Sequence, residues 1–283
     1  MIPSKFDYVR PSTVDEAVAA LTDGGDDAKV LAGGQSLLPV LRLRLAAPSV
    51  LVDLGGIPEL RGVRDEGDRI AIGAMTPHHD VLNDDLVNEH VALLAKATAT
   101  VADPQIRHLG TLGGALAHAD PAGDLGSVAV ALDAEFVIAG SGGRRTVPAS
   151  EFFTDYFTTA IGEGEVLTEV RFPRYTGWGS HYEKMNRTAQ SWSIVAVAAA
   201  LRVEGGSIAE ARVGLANMGS TPIRASGVEQ ALVGQPASAE SVRAAAAHAA
   251  DDTSAPSDGD AAAAFREHLA TVLTGRALLA AAG

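Results

Sequence analysis

The chain contains no cysteine among its 283 residues. Disulfide bonds, thiolate-ligated zinc, iron–sulfur clusters held by this chain and a cysteine nucleophile are therefore all excluded. The same absence leaves the redox compartment open, because a chain without thiols carries no signature of oxidising or reducing surroundings.

Basic residues are also scarce, with 22 lysines and arginines against 35 acidic residues, and the formal net charge is −13. Such a surface repels the phosphates of nucleic acids and the headgroups of anionic lipids. The charge balance therefore argues against a nucleic-acid partner and against binding at a membrane surface.

Long apolar runs are missing as well. The longest apolar run without a charge or a glycine lies near residues 194–201, far below the roughly 20 residues that a membrane helix needs. No apolar stretch follows a basic head at the N-terminus, so no secretory signal is expected. Hydrophobic residues nevertheless make up 47% of the chain, enough for a sizeable core. We expect a cytoplasmic protein with one large or two medium domains and no membrane insertion.

Helices and strands alternate along the first part of the chain. Ser12 and Thr13 precede Asp15 and Glu16, a capping box that predicts a helix through about Leu21. Residues 105–114 are interpreted as an irregular turn broken by glycine. Further strands are predicted at 29–32, 49–54, 67–74, 135–139, 144–147 and 166–172, and further helices at 36–45, from Thr76 with Pro77 in the first turn, at 87–100 and at 125–131.

A domain boundary is predicted near residues 175–179, where glycine and aromatic residues break the pattern. Beyond it, strands at 193–202 and 208–215 are followed by helices at 227–232, 238–250 and 261–281, with an exposed loop at 251–260. Strands followed by helices favour an α+β arrangement for this part.

Two glycine pairs are the main candidates for a binding site. One lies in residues 33–36, after a predicted buried strand, and the other lies in residues 111–115. A glycine pair lets the backbone approach a ligand, and its N–H groups can point at an anion such as a pyrophosphate. The alternative is that each pair forms an ordinary turn.

The first pair imitates a dinucleotide-binding βαβ unit, because Asp53 follows about 20 residues later. The fingerprint G-x-G-x-x-G is absent, since Leu37 and Leu38 occupy the region of its third glycine. No P-loop lysine follows either pair. A Rossmann-type site is therefore not expected.

Two polar clusters are weaker candidates. His118, Asp120 and Asp124 lie within seven residues and could form a metal or acid–base cluster. Their spacing matches no metal-ligand pattern, so His118 is interpreted as a loop residue and Asp124 as a possible helix N-cap. Residues 78–80, with sequence HHD, are expected at the surface because adjacent helical side chains point apart.

Lys184 and Trp192 are notable because lysine and tryptophan are both rare in this chain. Lys184 is the only lysine in the second half of the chain, and a lone lysine is usually solvated. Trp192 either belongs to the core, which is the simpler interpretation, or covers a planar ring.

Four motifs in fixed order resemble a known family. They are AGGQSLLP at 32–39, TLGGALAHADPAGDL at 111–125, VLTEVRFP at 166–173 and YEKMNRTAQSWSIVAVAAA at 182–200. Together they resemble the FAD-binding medium subunit of molybdenum hydroxylases, and most closely the aerobic carbon monoxide dehydrogenase type. The resemblance covers essentially the whole chain, including FREHLATVLTGRAL at 265–278.

The resemblance implies an α+β fold in two domains. Residues 1–176 correspond to a vanillyl-alcohol-oxidase or PCMH-type FAD-binding domain of two α/β subdomains. Residues 177–283 correspond to the smaller α+β C-terminal domain of the carbon monoxide dehydrogenase flavoprotein. FAD is expected to be held without a covalent bond.

The resemblance also implies which residues hold FAD. Backbone N–H groups of the two glycine segments wrap the pyrophosphate, Asp124 contacts the cofactor, and Leu167 packs near the isoalloxazine. Lys184 would lie near the flavin and favour its anionic reduced form, with Trp192 close to the ring. No residue is assigned to catalysis or to a metal. The implied cofactor-binding residues are Leu31, Ala32, Gly33, Gly34, Gln35, Ser36, Leu37, Leu38, Val101, Thr111, Leu112, Gly113, Gly114, Ala115, Asp124, Leu167, Lys184 and Trp192.

Two positions depart from the family pattern. Gln35 stands where many relatives carry histidine, and Ser191 stands where many carry an acid. The backbone role of the first segment should survive, but the hydrogen bonding at the ring edge and the flavin potential are left open.

The implied function is electron transfer within a complex. A large partner with the molybdenum cofactor oxidises the substrate, and a small partner with two [2Fe–2S] clusters passes the electrons to FAD here. An external acceptor, for which the resemblance implies a quinone, then takes them. The absence of cysteine fits this division of labour. The family also implies a heterotrimer doubled to a heterohexamer, cytoplasmic and in contact with the inner face of the membrane only through the complex.

Two other classes of function remain open. A self-sufficient flavin oxidase or reductase would need an acid–base residue over the ring, for which His118 and Asp120 are the candidates. An assembly subunit that has lost FAD is the third class, and the intact glycine pairs argue against it. The substrate is not specified, because its chemistry lies in another chain.

Overall fold

A three-stranded parallel sheet organises the first sixty residues of the computed structural model, which describes residues 2–283. Thr13 accepts a hydrogen bond from the Glu16 N–H at 3.2 Å, and the Glu16 carboxylate accepts from the Ser12 N–H at 2.8 Å. The predicted capping box is thereby confirmed. The elements are β1 (Asp7–Val9), α1 (Val14–Gly24), a 3-10 turn (Gly25–Asp27), β2 (Ala28–Leu31), α2 (Leu37–Arg42), β3 (Val50–Asp53) and two further 3-10 turns (Leu54–Gly56 and Pro58–Leu60), with strand order β1-β3-β2.

A five-stranded antiparallel sheet with the largest core follows. Its elements are β4 (Val63–Asp65), β5 (Arg69–Gly73), α3 (His78–Asn83), α4 (Asp85–His90), α5 (Ala92–Ala99), α6 (Pro104–Leu109), α7 (Leu112–His118), α8 (Asp124–Ala131), β6 (Glu135–Gly140), β7 (Gly143–Pro148), α9 (Ala149–Phe152), β8 (Phe153–Asp155), β9 (Thr158–Thr159) and β10 (Val166–Pro173). The order β4-β5-β10-β6-β7 places the last strand in the centre. Ile72, Phe136 and Phe172 of the sheet share one buried cluster with Leu94 of α5 and Val128 of α8. The strands predicted at 135–139 and 144–147 correspond to β6 and β7, which pair as an antiparallel hairpin.

The single helix predicted at 87–100 is wrong, because the structure breaks it into α4 and α5. Val91 leaves the helical region, with φ −137° and ψ 42°. The carbonyl of His90 there accepts a hydrogen bond from the Tyr175 N–H at 2.8 Å. A backbone partner from far along the chain therefore interrupts a locally favourable helix.

The irregular turn predicted at 105–114 is also wrong, because most of it is helical. Asp103 caps α6 by accepting from the Ile106 N–H at 2.9 Å, and Gly110 and Thr111 separate α6 from α7. Pro77 is the N-cap of α3 rather than a residue of its first turn.

The last hundred residues form a four-stranded antiparallel sheet in the order β11-β12-β13-β14, with three helices. The predicted strands and helices of this part correspond to β12, β13 and the three helices, whereas β11 was not predicted. The elements are β11 (Gly179–Met185), β12 (Val195–Glu204), β13 (Ser207–Ala216), β14 (Ile223–Arg224), α10 (Ser226–Leu232), α11 (Ala239–Ala246) and α12 (Ala263–Ala281).

Strand β12 is buried on both faces, which explains its alanine-rich sequence. Ala196, Ala198 and Ala200 belong to the cluster that contains α8, whereas Val197 and Leu201 belong to the cluster that contains α12. Small side chains on one face let α8 lie close to the sheet and join the two parts of the chain. No helix in residues 2–283 combines the length and the apolar character required to cross a bilayer.

Candidate functional site

A cleft of about 920 Å³ lies where the three sheets meet. This volume is at the upper end of the roughly 300–1,000 Å³ typical of ligand and cofactor sites. Its walls are the loop after β2, the start of α7, the start of α8, strand β10 and the segment from β11 to residue 192. Both glycine segments singled out in the sequence contribute to this one cleft.

The first glycine segment offers unused hydrogen-bond donors. The backbone N–H groups of Gly33, Gly34, Gln35 and Ser36 have no acceptor within residues 2–283. Gly34 adopts a positive φ of 74°, which a residue with a side chain rarely takes. The Gln35 side-chain amide donates to the Gly33 carbonyl at 2.7 Å. A run of unpaired N–H groups in such a turn is a concave site for an anion.

The second glycine segment differs, because most of its N–H groups already have acceptors. The N–H of Leu112 donates to the Thr76 carbonyl at 3.0 Å, and the N–H of Gly113 donates to the Ala74 carbonyl at 2.8 Å. The N–H groups of residues 114 and 115 both donate to Thr111. Of residues 111–115, only the Thr111 N–H has no acceptor within residues 2–283. This segment therefore contributes mainly close approach, and the first contributes donors.

The glycines let the two segments touch each other. A Cβ on Gly33 would lie 2.7 Å from the Gly110 Cα, and a Cβ on Gly114 would lie 2.7 Å from the Thr111 Oγ1 and 3.1 Å from the Ala32 Cβ. Such distances are shorter than van der Waals contact. Only glycine, which has no Cβ, therefore fits at positions 33 and 114 in this wall of the cleft.

A buried carboxylate occupies another wall. Asp124, the first residue of α8, is joined to Lys184 at 2.8 Å between Oδ2 and Nζ, and these side chains are only 4% and 6% exposed. Its Oδ1 accepts from the Tyr182 hydroxyl at 2.8 Å and from the Ser193 hydroxyl at 3.0 Å. Burial, reinforced by the Asp124 charge, raises the pKa of Tyr182 well above its usual value, so the phenol stays a donor.

The expected solvated position of Lys184 is thus wrong. Alternation along β11 places Ser180, Tyr182 and Lys184 on one face, and Tyr182 is buried. That period-two pattern was the sequence signal for Tyr182, which was missed, and for the burial of Lys184. Since Asp124 compensates the ammonium, the pair contributes no net charge to the cleft.

The remaining walls are apolar and aromatic. Leu167 of β10 is buried and lines the cleft, as does the half-buried Val101. Trp192 also lines it and is 53% exposed, so its interpretation as a core residue is wrong. Ser191 shares a hydrogen bond with Thr188, 2.7 Å between hydroxyl oxygens.

Three of the implied cofactor-binding residues do not line the cleft. Leu31 lies at the end of β2, Leu38 is 42% exposed outside the cleft, and Leu112 is fully buried in the core. The other fifteen all line it: Ala32, Gly33, Gly34, Gln35, Ser36, Leu37, Val101, Thr111, Gly113, Gly114, Ala115, Asp124, Leu167, Lys184 and Trp192.

The acid–base candidates also line the cleft but are not paired. The Asp120 Oδ1 accepts from the Ala122 N–H at 2.9 Å and so stabilises its own turn. The His118 ring lies 5.2 Å from the ring of Phe157, between centroids. Burial lowers the pKa of His118, and the Asp120 charge opposes that shift less strongly. The two side chains share no hydrogen bond and do not form a dyad.

His78 was expected at the surface but is only 3% exposed and lines the cleft. Its Nδ1 has no hydrogen-bond partner within residues 2–283. Burial, assisted by the charge of Arg107, lowers the pKa of His78 to about 4, so the ring is neutral at physiological pH. No group of three potential metal ligands occurs in the described part of the chain.

The first glycine pair and Asp53 resemble a dinucleotide-binding unit in sequence, but Asp53 is engaged in hydrogen bonds near its own loop. β2 and β3 are parallel, as in a βαβ unit, but the Asp53 Oδ1 accepts from the Gly55 N–H at 2.8 Å. Its other oxygen accepts from the Tyr8 hydroxyl. Asp53 therefore holds its own loop together.

Comparisons with known proteins cover the whole length of the chain. Residues 4–175 match the family described as FAD binding domain in molybdopterin dehydrogenase, and residues 180–281 match the CO dehydrogenase flavoprotein C-terminal domain. The carbon monoxide dehydrogenase medium chain of Hydrogenophaga pseudoflava is 43% identical over 87% of this chain and 86% of its own. That of Afipia carboxidovorans is 39% identical over 98% and 97%.

A solved structure has the same fold. It is the carbon monoxide dehydrogenase from Hydrogenophaga pseudoflava that lacks the Mo-pyranopterin moiety of its molybdenum cofactor. The TM-score is 0.96 with 42% identity, over 99% of this chain and 98% of that one. The likeness thus extends through both matched families and through every wall of the cleft.

Proposed function

This chain belongs to the family of FAD-binding medium subunits of molybdenum hydroxylases, and we propose that it is the electron-transfer subunit of an enzyme of carbon monoxide dehydrogenase type. In this proposal a large partner carries the molybdenum cofactor and oxidises the substrate, and a small partner holds two [2Fe–2S] clusters. When bound, FAD supplies the redox chemistry that links those clusters to an external acceptor, for which we propose a quinone.

The row of unused N–H groups at residues 33–36 is the observation that carries this proposal. Four adjacent donors in the wall of a large cleft suit the diphosphate of FAD, since each phosphate oxygen accepts hydrogen bonds strongly. The Thr111 N–H adds a fifth donor from the neighbouring segment. An assembly subunit that had lost FAD would have no use for this arrangement.

The walls beyond the glycine segments suit a flat ring system. Leu167 offers apolar surface and Trp192 offers an exposed aromatic face. Lys184 supplies a hydrogen-bond donor and Asp124 an acceptor. Their ion pair fixes the position of both groups and carries no net charge. We therefore assign this pair to positioning the flavin. Because Asp124 compensates the charge of Lys184, we no longer expect Lys184 to favour an anionic reduced flavin by its charge.

His118 and Asp120 do not form the base–acid pair that a self-sufficient oxidase would need. Asp120 is engaged with its own turn, and His118 has no hydrogen-bonded partner to orient it. Electron transfer from a cluster requires no proton abstraction from a carbon substrate. The lack of a hydrogen bond between His118 and Asp120 therefore agrees with a subunit that binds no substrate of its own.

Three further proposals complete the assignment. The chain divides at residues 176 and 177 into the FAD-binding domain and the C-terminal domain, in the connection that contains Tyr175 and Trp178. The three subunits form a heterotrimer that pairs into a heterohexamer. The complex lies in the cytoplasm and contacts the inner face of the membrane only through its partners.

The test is to express the full chain with an affinity tag in its native host and analyse what co-purifies. We expect FAD, iron and molybdenum together with two further chains, and bleaching of the flavin absorbance by carbon monoxide under anaerobic conditions. A yellow single chain without metals that a small organic substrate reduces would instead identify an oxidase. A metal-containing complex without flavin would identify an assembly subunit.

A further inference from the structure

A buried arginine joins the last helix to the segment that carries Trp192. Arg266, in the first turn of α12, is fully buried. Its guanidinium donates to the Ile194 carbonyl and, through Nη2, to both carboxylate oxygens of Asp258 at 2.7 Å. Neither Arg266 nor Asp258 lines the cleft. Any effect of this pair on the cleft is therefore transmitted through the backbone at Ile194.

The backbone at Ile194 leads directly to the cleft. The Ser193 hydroxyl donates to the Asp124 Oδ1 at 3.0 Å, and Trp192 lines the cleft with its side chain exposed. The Ile194 N–H donates to the carbonyl of Met185, the last residue of β11, at 2.7 Å. Residues 192 and 193 thus extend from a point that β11 fixes on one side and the guanidinium fixes on the other.

A second ion pair joins the same two stretches of chain. Arg187 and Asp260 lie 3.0 Å apart at the surface, with side chains 65% and 56% exposed. Such an exposed pair contributes little, because water and ions screen it. The buried pair of Asp258 and Arg266, which we call the clamp, is therefore the contact that fixes this segment.

Burial makes the clamp sensitive to the loss of either charge. A guanidinium withdrawn from water requires a carboxylate, since an uncompensated charge in such a site is strongly unfavourable. The Asp258 Oδ1 is oriented by the N–H groups of Asp260 and Ala261, which donate to it at 2.9 and 3.0 Å. The Asp258 side chain is itself 46% exposed. Its charge can therefore be removed without opening a cavity in the core.

Resting on the function proposed above, we infer that Arg266 is a positioning residue for FAD, oriented by Asp258 and acting through the Ile194 carbonyl. It fixes the backbone from which Ser193 reaches the buried carboxylate and Trp192 faces the cleft. With the clamp intact these groups are in place before FAD binds, so the cofactor does not have to order them. Loss of a hydrogen bond from a charged donor is large enough to weaken FAD binding by about tenfold.

A purely structural role of Arg266 leads to a different expectation. In that case the clamp would stabilise the packing of α12 on the sheet, and FAD retention by the folded protein would not depend on it. Asp258→Asn/Arg266→Met separates the two roles. It removes both charges and leaves an apolar side chain, so stability should largely return, but the Ile194 carbonyl has still lost its donor.

The test compares tagged full-length chains, purified from the native host with whatever partners they retain. FAD per chain, the rate of FAD release after dilution and the visible circular dichroism of bound flavin are measured, with the melting temperature as the check of folding. Glu267→Gln is the matched control, because it removes a negative charge from an exposed neighbour of Arg266 on the same helix.

Asp258→Asn should lower the melting temperature and release FAD about tenfold faster, because an uncompensated guanidinium moves towards solvent and leaves the Ile194 carbonyl. The double variant should recover at least half of the lost melting temperature and still release FAD about tenfold faster than the wild type, with an altered flavin dichroism. Glu267→Gln should match the wild type in all four measurements.

The outcomes separate the two proposals. If the wild-type chain purifies without FAD, the proposed function and the positioning role both fall. If the wild type retains FAD and the double variant, with its stability restored, releases FAD at the wild-type rate, only the positioning role is overturned.

A second measurement uses the wild type alone and decides the question even if the variants do not fold. Coupling between two sites is reciprocal, so FAD in the cleft must stabilise the clamp if the clamp favours FAD. The amides of Asp260 and Ala261, which donate to Asp258, should exchange hydrogen at least threefold more slowly with FAD bound than after its removal. The exposed loop at 233–236 is the control and should not change. Equal exchange at residues 260 and 261 in both states would contradict the inference.

Discussion

The buried carboxylate of Asp124 allows a prediction that requires no bound cofactor. Asp124→Asn keeps the shape of the side chain but removes the charge that faces the Lys184 ammonium at 2.8 Å. Removing one member of a buried ion pair costs about 3–5 kcal/mol, because the other charge stays buried without compensation. For a chain of this size we therefore expect the melting temperature to fall by roughly 10 °C.

The assay is urea and thermal unfolding of the full chain freed of cofactor. Asp124→Asn/Lys184→Met removes both charges and should recover at least half of the lost free energy of unfolding. Asp260→Asn is the control, since it breaks the exposed ion pair with Arg187, 3.0 Å long with side chains 56% and 65% exposed. That substitution should change the free energy of unfolding by less than about 1 kcal/mol.

Two results would refute the reasoning. If Asp124→Asn matched the wild type within about 1 kcal/mol, the ion pair would not be desolvated in solution. If the double variant were no more stable than the single one, the loss would come from the Tyr182 and Ser193 hydrogen bonds rather than from the uncompensated ammonium.

Two further predictions follow from the cleft. Gly114→Val should abolish retention of FAD, because its Cβ would lie 2.7 Å from the Thr111 Oγ1, whereas Gly142→Val, with nothing within 4 Å of its Cβ, should stay yellow; full colour in both would contradict the assignment. His78 has a pKa lowered by burial to about 4, so it stays neutral when folded but is protonated below about pH 6.5 when unfolded. Its contribution to stability is therefore complete above pH 6.5 and is lost as the pH falls towards 4, and the wild type should lose about 3 kcal/mol more than His78→Gln over that range. Equal pH dependence in urea titrations of both proteins would show that His78 is hydrated.

Much of the fold could be predicted because its signals are local. The Ser12–Glu16 capping box and the neighbouring strands at 135–139 and 144–147 each depend on residues a few positions apart. The glycine pairs were recognisable for the same reason. Both do line one cleft.

The remaining features depend on contacts between distant parts of the chain. The break at Val91 requires the Tyr175 N–H, and the different use of the two glycine segments requires the carbonyls of Ala74 and Thr76. Nothing near Lys184 in sequence shows that Asp124 will meet it. Local patterns therefore indicated which residues matter in the cleft but not which of their hydrogen-bonding groups were already in use.

The hydrogen bonds of Asp124 show that both matched family regions form the cleft. Its carboxylate belongs to the FAD-binding family match, but its partners Tyr182, Lys184 and Ser193 all lie beyond residue 175, where that match ends. A fragment that ends there would keep both glycine segments and yet leave this carboxylate with none of those three partners. Cofactor retention and attachment of the C-terminal part are consequently linked equilibria, in which whatever strengthens one stabilises the other.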